Sequence, residues 1–181
     1  MSIHQLSVTY DEQQDRLLLR INTQSAEEYR IWLTRRLTQR LMPIVEKTVI
    51  QLESMQAGVV ATDETGRKIV AELRRDAFMQ KADFQTPFSP QPQTLPLGEV
   101  PMLVTDAQLS LLPQRELRML LQDKTGAQLR QCQIQLPAHL VHGLLHLTQQ
   151  AILHAGWNLA GAATSEQAEP PSPAPAAGSA H

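Results

Sequence analysis

The feature that most limits what this chain can fold into is a pattern that occurs twice. Three stretches of alternating apolar residues are followed by one stretch of helical spacing, and the second occurrence lies about 103 residues after the first. In the first occurrence Leu6, Val8 and Tyr10 alternate, polar residues from Asp11 to Asp15 form a hairpin signal, and Leu17, Leu19 and Ile21 alternate again. A loop through Asn22 to Ala26 leads to a third stretch at Tyr29, Ile31 and Leu33. After Thr34 the period changes, and Leu37, Leu41, Ile44, Val45, Leu52 and Met55 fall on one helical stripe. Pro43 lies inside that helix and should kink it or mark its true start.

The second occurrence opens on "AQLSLLP", which matches "HQLSVTY" and sets Leu109 and Leu111 in the places of Leu6 and Val8. Met119 and Leu121 then stand for Leu17 and Leu19, and Ile134 and Leu136 for Ile31 and Leu33. Leu140, Leu144 and Ile152 follow for Leu37, Leu41 and Val49. Pro137 takes the place of Thr34 at the helix start, where proline is tolerated.

Between the halves, "TGRKIVAELRRDAFMQKADF" places Ile69, Val70, Leu73, Ala77 and Phe78 at helical spacing, predicting a further amphipathic helix. Its basic residues Arg67, Lys68, Arg74, Arg75 and Lys81 read as a snorkelling surface. The Pro-rich stretch from Thr86 to Pro101 predicts neither helix nor central strand. From Glu166 onward the chain is nearly all Pro, Ala, Ser and Gly, and too little apolar surface is present to offset the entropy of ordering. The expected class is therefore α+β: two diverged strand-strand-strand-helix units related by a pseudo-two-fold, with an extra middle helix and a disordered tail. The boundaries are 1–57 for the first unit, 58–101 for the connector, 102–160 for the second unit and 161–181 for the tail.

Sixteen Lys plus Arg against eighteen Asp plus Glu remove any argument from bulk charge for nucleic acid or anionic membrane. One cysteine cannot form an internal disulfide, no apolar run is long enough to span a bilayer, and the first residues carry no secretory signal pattern. A soluble, cytoplasmic protein with no membrane partner is the expectation.

If the alternating residues of the second and third strands face a helix, Arg16, Leu18, Arg20, Arg30 and Trp32 share the opposite sheet face. Arginines can pair with phosphates while an indole stacks on a base, so this face is a candidate for single-stranded nucleic acid. It reads equally as a solvated sheet surface or as a dimer interface burying Trp32. The matching face of the second unit, with Arg118, Gln131, Gln133 and Gln135, is barely charged. His139, His142 and His146 fall in one sector of the last helix, where spacing permits a metal. No adjacent glutamate completes a protease motif, so exposed histidines on an amphipathic helix are expected. Cys132 sits at an inward strand position and should be inert. The acidic residues Asp11, Glu12, Asp15, Glu27 and Glu28 read as turn residues.

The element order is similar, in topology only, to that of the Pur and whirly single-stranded nucleic-acid-binding families, which repeat a strand-rich unit closed by a helix. Those families use four strands per unit where this pattern shows three, and the resemblance carries over no site residues. The sequence thus predicts a non-catalytic binding or adaptor module acting through protein-protein contacts, with a protein partner or a homodimer and no cofactor. Binding of single-stranded DNA or RNA through Arg16, Arg20, Arg30 and Trp32 is the alternative.

Overall fold

The computed structural model describes residues 2–57, 64–81, 88 and 94–158. Its first half is an antiparallel meander of β1 (Ile3–Asp11), β2 (Arg16–Thr23) and β3 (Glu28–Thr34), followed by α1 (Arg35–Ala57). After α2 (Glu64–Lys81) and the connector come β4 (Met102–Leu103), a second antiparallel meander of β5 (Asp106–Leu111), β6 (Glu116–Asp123) and β7 (Arg130–Pro137), and finally α3 (Ala138–His154). The class is α+β, and the order of three strands then a helix occurs in both halves.

Strand alternation sets the core. Leu17, Leu19 and Ile21 pair across β2 and β3 with Leu33, Ile31 and Tyr29, and Leu117, Met119 and Leu121 pair with Leu136, Ile134 and Cys132. Apart from half-buried Tyr29, all of these are buried, and both sheets contribute to one continuous apolar cluster with α1 and α3. The helices cross over: α3 packs against β1, and α1 touches β5, so each helix contacts the first strand of the other meander.

The registers move one sequence match. Leu17 and Leu19 correspond to Leu117 and Met119, not to Met119 and Leu121, and Val8 corresponds to Leu109, not to Leu111. The cause is turn length: the first hairpin turns through residues 12–15 and the second through 113–115, while the next connection, beyond the last strand pair, spans 23–27 in one half and 124–129 in the other. Asp15 and Arg115 close the two hairpins with φ of 49° and 63°, a left-handed conformation that the three-residue loop at 113–115 commonly needs at its last position.

Two connector residues also depart from expectation. Met102 and Leu103, assigned by sequence to the second unit, run parallel to β3 and extend the first sheet to four strands. Upstream, Thr94 forms a parallel bridge to Glu27. Arg130 holds this stretch in place by donating to the carbonyls of Leu97 and Val100. A two-residue strand satisfies the edge of β3 without the long ladder that the prolines forbid.

Helix α1 begins where the sequence places it, with the Thr34 hydroxyl accepting from the Leu37 N–H. Pro43 lies inside the helix and is exposed. Leu41, Val45 and Leu52 are buried and Leu37 half-buried, whereas Ile44 points outward. The side chains of Met55, Arg67, Lys68, Phe78 and Lys81, and the whole tail from 161 to 181, lie outside the described residues.

Candidate binding surface

The registers set Arg20 opposite Arg30 and Leu18 opposite Trp32, so Arg16, Leu18, Arg20, Arg30 and Trp32 do share the outer face of the first sheet. Their surroundings limit what that face can do. Arg20 lies under Phe88, its guanidinium carbon 4.2 Å from the ring centroid. Arg30 is held at 2.9 Å by Glu28, a carboxylate that is itself buried. Arg16 donates to Gln14 at 3.3 Å. Trp32 is half-buried, with Leu18 on one side and Leu103 of β4 on the other. Two of the three arginines are thus already engaged by a carboxylate or a ring, and the indole has apolar neighbours on both flanking strands.

On the helical side, α3 presents His139 to solvent as expected, but not His142. His142 is buried, and its Nε2 lies 2.7 Å from Glu53 Oε1 of α1. The other oxygen of Glu53 accepts from Arg74 of α2 at 2.8 Å. One enclosed carboxylate therefore joins three helices, the buried imidazole and the half-buried guanidinium supplying the partners that a polar group in a low-dielectric site requires. His139 is exposed at the rim of a cavity of about 400 Å³ beside this joint, whose lining includes Arg74, Arg115 and Glu116 but no hydroxyl or thiol. His146 is half-buried one turn further on, where burial and the nearby Arg75 charge hold its pKa below the ordinary histidine value. Among the described residues no group of three or more His, Cys, Asp and Glu is placed to hold a metal. The sequence missed the joint because Glu53 and His142 are 89 residues apart and neither breaks the helical pattern around it.

Helix α2 meets the body along one side. Gly66, Val70 and Arg74, spaced by four, are half-buried, and Arg75 lines cavities with residues of α1 and α3. The apolar residues Ile69 and Leu73, one helical turn apart, face away at 52% and 65% exposure, with exposed Ala77 on the next turn. Part of the apolar stripe, Ile69 and Leu73, thus points away from the body, while Val70 points toward it. Around the stripe stand exposed Glu72, Arg75 and Asp76, so the rim carries both signs of charge.

Cys132 is buried in β7, and desolvation pushes its thiol up to about 11, which keeps the thiolate negligible at neutral pH. Among the described residues no helix is long and apolar enough to cross a membrane. No protein-family model, no curated protein and no solved structure matches this chain.

Proposed function

We propose that the protein is a non-catalytic adaptor that docks a protein partner on the outward stripe of α2. The observation that carries this reading is the exposure of Ile69 and Leu73, one turn apart, on a helix anchored to the body through Arg74 and Glu53. A surface helix gains nothing in the free protein from turning leucine and isoleucine outward, whereas a partner that buries them recovers the hydrophobic term, on the order of 2 kcal/mol for each fully covered side chain. A rim containing Glu72, Arg75 and Asp76 suits a polar protein surface around an apolar centre better than it suits a polyanion.

The alternative, single-stranded nucleic acid on the Arg16, Arg20, Arg30 and Trp32 face, has the shared-face register in its favour and the pairing of Arg30 with Glu28 against it. Two experiments divide the readings. A photo-activatable residue in place of Leu73 should give one discrete protein adduct in the expressing cells, lost when Ile69→Asp is added. A labelled oligonucleotide titrated at low salt should show no saturable binding; saturable binding that weakens steeply with salt would favour the nucleic-acid reading instead.

A further inference from the structure

Four strand edges border the two sheets, and they differ in how well they could accept another strand. The first sheet ends at β4, which is only two residues long, and at β1, whose register shifts between Ile3 and Gln5, and β5 begins on the charged Asp106; helices touch β1, β5 and β7 alike. The fourth edge belongs to β7, which pairs with β6 on one side and, among the described residues, with no strand on the other. Its counterpart in the first meander, β3, is covered by β4 and by the bridge to Thr94. From Gln131 to Leu136 β7 contains no proline, no charged residue and no register shift, so the strand itself carries none of the sequence features that discourage strand addition.

We infer that β7 is the edge through which two copies of this chain associate, antiparallel about a two-fold axis at Gln133. The pairing is self-complementary. With Gln133 opposite its own copy, Gln131 of one protomer faces Gln135 of the other. Primary amides on the exposed face can each donate and accept, so they pair with one another without leaving a charge uncovered. Cys132 then lies opposite Ile134, continuing the apolar inner face across the axis. Arg130 is anchored to Leu97, Val100 and Asp123, and Pro137 ends the strand, so the pairable segment is bounded at both ends. A short neutral strand of this kind fits a second copy of itself better than a charged partner. The inference is independent of the role given to α2.

Sedimentation of the full chain tests it. The wild type should sediment as a dimer. The triple variant Gln131→Lys, Gln133→Lys and Gln135→Lys sets like charges opposite each other at every outward pair and should raise the dimer dissociation constant at least tenfold. Mixing it with the corresponding triple glutamate variant should restore the dimer as a heterodimer. All three side chains are exposed, and circular dichroism of each variant checks that the fold is kept. A wild type that is monomeric throughout, as it would be if β7 served a different protein, would overturn the inference. So would a lysine variant that stays dimeric, or a mixture that does not reassociate. The double variant Ile69→Asp and Leu73→Asp should remain a dimer, which separates this edge from the α2 surface.

Discussion

Glu53 has 4% side-chain exposure and holds His142 at 2.7 Å and Arg74 at 2.8 Å. Removing one member of such a buried set strands the others without a partner, so Glu53→Ala should lose about 3–5 kcal/mol in urea unfolding at neutral pH. The double variant Glu53→Met with His142→Leu should recover most of that loss, because two apolar groups need no partner. At the opposite end of the helix layer, Asp15 accepts from Trp157 Nε1 at 2.7 Å and from the Tyr10 hydroxyl at 2.9 Å. These two bonds, that from Trp157 first, hold its carboxyl below the ordinary aspartate value. A depressed folded-state pKa contributes stability that is present above the unfolded value, about 3.9, and is lost as pH falls through the folded value. Asp15→Asn should therefore leave a shallower acid limb in thermal midpoint measured against pH; asparagine tolerates the φ of 49°, so the change isolates the charge. Asp106 and Asp123, also depressed by hydrogen bonds, keep the remaining acid sensitivity.

At the scale of elements, α2 separates binding from stability. Ile69→Asp and Leu73→Asp should each change unfolding free energy by no more than about 0.5 kcal/mol, as exposed positions do. Leu19→Ala, inside the core at 1% exposure, should cost about 2–5 kcal/mol in the same measurement. This is also where sequence reading succeeded and stopped. Period-two alternation located all six long strands and period 3.6 all three helices, because each element has one face that must be buried. Periodicity shows that α2 has an apolar stripe and does not say which way the stripe points; that depends on Arg74 reaching Glu53, a contact between distant residues. The hairpin correspondence slipped by one pleat period for a similar reason, since turn lengths of 12–15 and 113–115 are not readable from alternation. Arg16, Arg20, Arg30 and Trp32 do share one sheet face, but alternation does not show that Phe88 lies against Arg20 or that Glu28 pairs with Arg30.

For the whole molecule, the crossed helices tie the two meanders together. Trp157, just beyond α3, is buried against the first hairpin, its ring edge-on to Tyr10 at 5.9 Å. Gln149 of α3 donates to Glu46 of α1 at 3.3 Å. This frame holds α2 on its surface through the Glu53 joint with Ile69 and Leu73 of its apolar stripe outward. The central claim is that this stripe is the docking surface. Its most direct test is the dissociation constant of the purified protein cross-linked from position 73, measured against wild type and against the Ile69→Asp, Leu73→Asp variant. The account predicts at least tenfold weaker binding with an unchanged melting temperature; equal affinity for the two forms would contradict it.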